Sequence, residues 1–157
     1  MAVRELEVQR IAETAYIPDN AEFQLWLETV LTDYGKDVEV LIRVVDTQEM
    51  SALNKQYRHK LGTTNILSFP FDAPETIEGS ILLGDLVVCA TVLETEAREQ
   101  KKSLKDHWTH IIIHGILHLL AYDHINENDA LEMEAKEIII LQQLNIDNPY
   151  QEKQVND

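Results

Sequence analysis

The chain is poor in the residues that staple, break or bend a polypeptide. Its 157 residues include one cysteine, Cys89. No internal disulfide can form, a CxxC zinc site is excluded, and nothing points to an oxidising compartment. Cys89 follows the apolar run Leu86-Val87-Val88 and reads as a buried, inert thiol. The five glycines and four prolines are scattered, so no linker stands out. There is no repeat and no low-complexity tract. One domain is expected over residues 1–150, with 151–157 as a tail. Long apolar runs are also missing. The opening MAVRELEVQR carries charge where a signal peptide is apolar. The longest uncharged apolar stretch, Ile111 to Tyr122, is shorter than the about 20 residues of a membrane span. The expectation is a cytoplasmic protein without membrane contact. Positive charge is scarce as well: 13 Lys and Arg face 28 Asp and Glu, for a net charge of −15. That sum argues against nucleic acid, whose binders usually carry a basic face. Exposed charges are screened beyond about 8–10 Å, however, so a local basic patch can act on an acidic protein.

What is present is a regular alternation of strand and helix patterns. Val3 to Ile11 reads weakly as a strand. Asp19-Asn20 can cap a helix to Tyr34 that places Phe23, Trp26, Leu27, Val30 and Leu31 on one face, with Gly35 as its stop. Val38 to Val45 is a β-branched strand. Asp46 and Glu49 resemble a capping box, opening a helix to about Lys60 that Gly62 ends. Asn65 to Phe69 is a short strand, Ser80 to Cys89 a strand interrupted at Gly84-Asp85, and Thr91 to Gln100 a helix. Leu104 to Ala121 is apolar around nearly its whole circumference, which marks a central, buried helix. A last helix from Asn126 to Leu144 should bury Leu131, Ile138 and Leu141. The fold class is α+β: a small mixed sheet of about four strands packed with about five helices around the histidine-bearing helix.

Five of the six histidines lie between positions 107 and 124. His114 and His118 are four apart on one helix, so their side chains sit one above the other and can chelate one ion. His110 is eight residues from His118, about 12 Å along the axis. An ion with bonds of about 2.0–2.1 Å cannot reach both, so a third ligand must come from chain that turns back. His124 lies where the helix should end. Three protein ligands leave a position for water, the catalytic arrangement, and metal-bound water has a pKa near 7. His107 and His110 are read as structural or as supports for the ligands. The spacing matches the zinc-protease pattern HExxHxxGxxH, but Gly115 stands where that pattern needs its general base and Ala121 where it has glycine.

The segment HGILHLLAYDH also resembles the signature of the YbeY-type endoribonucleases, H-G-x-L-H-L-x-G-Y-D-H. Asn54-Lys55-Gln56-Tyr57-Arg58 is similar to that family's N-x-x-Y-R. Thr64 with Asn65-Ile66-Leu67-Ser68-Phe69-Pro70 is similar to its T-D-V-L-S-F-P, and Leu83-Gly84-Asp85-Leu86-Val87-Val88 to its L-G-D-I-V-I. Ala121, Thr63 and Asn65 depart from Gly, Pro and Asp. The matches run from about residue 37 to 150. The resemblance implies a zinc-dependent, single-strand-specific endoribonuclease that matures ribosomal RNA, especially the small-subunit 3′ end, and serves ribosome quality control. It implies one Zn(2+) per chain on His114, His118 and His124, with Arg58 catalytic. Asp85, Ser68 and Lys60 are candidates for supporting the ligands or touching substrate. A site of three imidazoles also suits nickel or iron. The partners expected are single-stranded ribosomal RNA and the ribosome or its assembly proteins, not DNA. Lys55, Arg58, His59 and Lys60 form one basic cluster and Arg98, Lys101, Lys102 and Lys105 a second; with −15 overall, a docked ribosomal partner would supply much of the affinity. A metalloprotease-like hydrolase and a non-catalytic ribosome-assembly factor with a structural metal are the alternatives.

Overall fold

In the computed structural model the described residues are 4–11, 16–32, 34–35, 37–70, 81–120 and 127–150, with backbone alone at 81 and 127–130. Four strands form one mixed sheet in the order β1-β2-β4-β3. β1 (Arg4–Arg10) and β2 (Val38–Val45) are parallel, β4 (Ile81–Cys89) is parallel to β2, and β3 (Ile66–Pro70) is antiparallel to β4 at the edge. Among the described residues five helices accompany it: α1 (Asn20–Val30), α2 (Thr47–Arg58), α3 (Ala90–Glu99), α4 (Leu104–Leu119) and α5 (Glu127–Gln143). None of the described helices is long and apolar enough to cross a membrane.

The sheet's two faces are covered unequally. One packs on α4 and carries the main core, in which Val38, Val40, Ile42, Leu86 and Val88 meet Trp108, Ile112, Ile113 and Ile116. The other is covered at one end by α2, where Met50 joins Val45, Leu67, Val87 and Cys89. Alternation along β3 and β4 assigns the directions: Ile66, Leu86 and Val88 belong to the first cluster, Leu67, Phe69 and Val87 to the second. Cys89 is fully buried, as its apolar run suggested.

The anticipated caps form. Asp19 and Asp46 accept from the N–H of Glu22 and Glu49, each at 2.8 Å. Three boundaries differ from the sequence expectation. α1 ends at Val30, where Arg4 of β1 reaches across to the Leu31 and Tyr34 carbonyls. α2 is closed by His59 in the left-handed region (φ 56°), with its N–H returning to Asn54 and Lys55; Gly62, three residues on, shapes the following turn. β4 is not interrupted at Gly84-Asp85 but bulged, with Val40 pairing with Gly84 after Glu39 pairs with Leu82. Gly84 has φ 138°, and a Cβ there would lie 2.3 Å from the Phe69 carbonyl oxygen. Only glycine lets β3 and β4 approach that closely.

Candidate functional site

Apolar residues reach nearly the whole circumference of α4, and the fold uses that by sealing the helix on almost every side. Between positions 107 and 119 only His110, His114 and His118 are not buried. They recur every four residues, so they form one stripe along the helix. The stripe lines a cleft of about 740 Å³ that follows the edge strand β3 and is closed by the end of α2 and by Tyr150. Gly115, beside the stripe, explains the missing glutamate. A Cβ there would lie 2.7 Å from Ile66 Cδ1 and 2.9 Å from Leu86 Cδ2, so the helix rests directly on the sheet and no larger side chain fits at that position.

Glu137 of α5 sits behind the stripe with its side chain fully buried. It accepts a short hydrogen bond from His114 Nδ1 and another from the Tyr150 hydroxyl. His110 Nε2 lies 3.3 Å from the same carboxylate. Burial alone would raise the Glu137 pKa, but the hydrogen bonds from His110, His114 and Tyr150 outweigh it and bring the carboxyl down to about 2. Burial, then Glu137, push the Tyr150 phenol far above its ordinary value, so it stays protonated and donates. Burial also lowers His110 in spite of Glu137.

A carboxylate can only accept, so its bond to His114 places a proton on Nδ1, and in the neutral ring Nε2 then carries the lone pair. His118 Nε2 is 2.9 Å from it. Two nitrogens sharing a tetrahedral ion stand ~3.3 Å apart at the usual bond lengths, so a small side-chain movement makes this a chelating pair. The carboxylate–imidazole arrangement behind it is one that metal sites use to orient a ligand. A second grouping exists: donor atoms of His110, His114 and Glu137 lie within 4.8 Å of one another and could hold an ion by themselves. His124 and Ala121 lie outside the described residues, as does the 151–157 segment.

The opposite wall comes from β3 and the end of α2. Arg58 and Tyr57 line it, with Thr64, Asn65 and residues 66–69, Ser68 included. Arg58 and the histidine pair therefore share one cleft. Arg58 has no ion-pair or hydrogen-bond partner among the described residues, and Lys55, His59 and Lys60 are exposed beside it. Asn54, 3% exposed, fixes this corner: its side-chain amide donates to the Gly62 carbonyl at 3.0 Å and its backbone carbonyl accepts from the Lys60 N–H. The second basic cluster lies off the cleft, where Arg98 pairs with Glu94 and Lys105 with Glu22. Lys60 flanks the cleft without lining it.

Asp85 is not brought to the histidines. Its register opposite Leu41 and Phe69 turns it to the other face of the sheet, where it lines a separate groove with Glu5, Glu7 and Glu39. Burial and then Glu7 raise its pKa. A role in orienting a ligand histidine does not fit that direction.

Glu137, Tyr150 and Glu96 were not anticipated. Glu96 of α3 accepts from buried His107 at 2.9 Å and from the Asn65 amide at 3.2 Å, tying the start of β3 to α4. Burial would raise its pKa, but His107 and Asn65 lower it on balance. The expected inner face of α5 needs correction too. Leu131 is 57% exposed, and the buried positions are Met133, Glu137, Ile140 and Leu141.

Comparison with known proteins returns one family, described as Endoribonuclease YbeY, which matches residues 7–145. A protein named Endoribonuclease YbeY from Colwellia psychrerythraea is 47% identical over 152 residues, covering 94% of this chain and 97% of its own. One of the same name from Methylococcus capsulatus is 51% identical over 148 residues, covering 94% and 96%. The solution structure of a Thermotoga maritima protein superposes with a TM-score of 0.58 at 22% identity, covering 89% of this chain and 91% of that one; it supports the fold.

Proposed function

This chain belongs to the endoribonuclease YbeY family, and on that premise we propose that it cleaves single-stranded RNA with one zinc ion held by His114, His118 and His124. The observation that carries this reading is the shared cleft: Arg58, which has no partner among the described residues, lines the same cleft as His114 and His118, whose Nε2 atoms lie together. The chelating pair is preferred over the His110–His114–Glu137 grouping because Glu137 already accepts from three donors and is wholly buried, whereas the His114–His118 edge opens to the cleft.

Zinc bound there would polarise a phosphodiester oxygen and bring water to a pKa near 7. The remaining work falls to the chain. Glu137 holds the His114 tautomer and ring direction. Arg58 grips the phosphate with its planar fork and stabilises charge that develops there. Ser68 and Lys60 remain substrate-contact candidates. A metalloprotease reading finds no support: no carboxylate lines the cleft among the described residues, and position 115 has no room for a glutamate.

The cellular role we propose is ribosomal RNA maturation at the small-subunit 3′ end and ribosome quality control, in the cytoplasm. With a net charge of −15 and one basic corner at the cleft, a ribosomal partner would supply much of the affinity.

The test is metal analysis of the purified protein together with an RNA cleavage assay, with and without chelator, on native protein and on Arg58→Ala and His114→Ala at matched folding. Loss of single-strand cleavage in both variants and on chelation is expected. Undiminished cleavage by both variants refutes the site. Melting on chelation, with no cleavage by the loaded protein, would assign the metal a structural role.

A further inference from the structure

Tyr57 is more than half exposed, at 55%, the highest among the described aromatic side chains of the cleft, and belongs to neither buried cluster. Its ring is nonetheless braced. Phe69 of β3, which packs on the smaller core cluster, meets it at 5.1 Å between centroids and 73° between planes. An aromatic ring held in place yet left uncovered at the mouth of a cleft has forgone burial that its area would favour. Its next neighbour in sequence is Arg58, and Lys55 and Lys60 are exposed on the same corner. A flat π-face beside a planar cation matches a nucleotide, whose base is flat and whose phosphate is anionic.

We propose that Tyr57, braced by Phe69, is a stacking platform for an unpaired nucleobase of RNA whose adjoining phosphate lies on Arg58. The proposal rests on the endoribonuclease reading above and deepens it. It supplies a physical source for single-strand preference. A base in a duplex is already stacked and paired, and offering it to Tyr57 would require extracting it from the helix, whereas an unpaired base reaches the ring at little cost. It also predicts tolerance of sequence, since every base has a π-face. Thr64 and Asn65, on the β3 side of the cleft, provide polar groups for a base edge.

The experiment uses the full zinc-loaded chain and two fluorescein-labelled probes at low salt, a 2′-O-methyl RNA decamer and the same backbone without bases. Native protein should bind the decamer more tightly than the abasic probe. Tyr57→Leu should weaken decamer binding by about five-fold or more and leave abasic binding unchanged, while Tyr57→Phe keeps the native difference. Tyr57→Trp adds a direct reporter, because Trp26 and Trp108 are buried: its emission should be quenched by the decamer and not by the abasic probe. Equal decamer affinity of native protein and Tyr57→Leu, or no quenching of Tyr57→Trp, overturns the platform and leaves the patch to a protein partner. If native protein still cleaves single-stranded RNA, that failure touches the platform alone. Native protein that neither binds nor cleaves it overturns the underlying activity as well.

Discussion

Replacing Glu137 by glutamine keeps the shape of the side chain and removes its charge. The carboxylate now satisfies His114 Nδ1, the Tyr150 hydroxyl and His110. Glutamine offers one oxygen and one NH2 in the same space, so at least one donor faces a donor. An unmet buried donor costs about 1–3 kcal/mol. His114 can relieve the conflict by moving its proton from Nδ1 to Nε2, but Nε2 then loses the lone pair that a metal needs. Zinc affinity should therefore fall about 10–100-fold, the usual effect of removing a carboxylate behind a ligand histidine, which corresponds to about 1.4–2.8 kcal/mol. The assay is zinc competition against a chromophoric chelator, with melting curves of the chelator-treated proteins to separate the loss of stability. Native zinc affinity in Glu137→Gln would refute the reasoning. A different pattern would refute it in another way: if His118→Ala retains zinc while His110→Ala loses it, then Glu137 is itself a ligand with His110 and His114.

Three further outcomes are expected. Zinc should raise the melting temperature of the native protein with increasing concentration, by mass action on the folded state, and His118→Ala should abolish that dependence; calorimetric scans across a zinc series check it. Gly115→Glu should prevent stable folding and Gly115→Ala should cost up to about 2 kcal/mol, because overpacking against Ile66 and Leu86 outweighs the gain in helix propensity; denaturant titration of both variants measures this. Glu96→Gln should destabilise the protein at neutral pH by about 1 kcal/mol, since the bonds from buried His107 and the Asn65 amide lose their charged acceptor. The Glu96 carboxyl lies below its ordinary 4.5 in the folded state, so its stabilisation is complete above that value and disappears as pH falls through the lower folded one. Urea titrations from pH 7 down to pH 3 should show native protein and Glu96→Gln converging at the acid end.

Much of this architecture could be read from the chain because the relevant patterns are local. Asp19 and Asp46 announce their helices by capping them, and α4 announces its central place by being apolar all round. The histidine stripe was only half legible. Axial distance separates His110 from His118 as ligands of one ion, but it says nothing about a carboxylate from another helix that joins His110 to His114. That carboxylate was hidden by its charge. The apolar residues alone point to an inner face through Leu131, Ile138 and Leu141; of these Leu141 is buried, but the stripe runs through Met133, Glu137, Ile140 and Leu141. An acidic residue at helical spacing within an apolar stripe was the available signal. Asp85 failed for a geometric reason: side-chain direction on β4 depends on the bulge near Gly84, and no local pattern reports how a strand pairs.

The clasp on the histidines also has a consequence in time. His114 and His118 are synthesised before Glu137, and Glu137 before Tyr150, the residue that completes the hydrogen bonding of the carboxylate. At about 5–20 residues per second, the chain between His118 and Tyr150 takes roughly 2–6 s to make. A nascent chain carrying the histidines therefore lacks the carboxylate that orients His114 until Glu137 is made, and that carboxylate lacks its phenol donor until Tyr150 is made. The order of synthesis thus makes the two cleft histidines first, the carboxylate that orients one of them second, and the hydroxyl that anchors that carboxylate last.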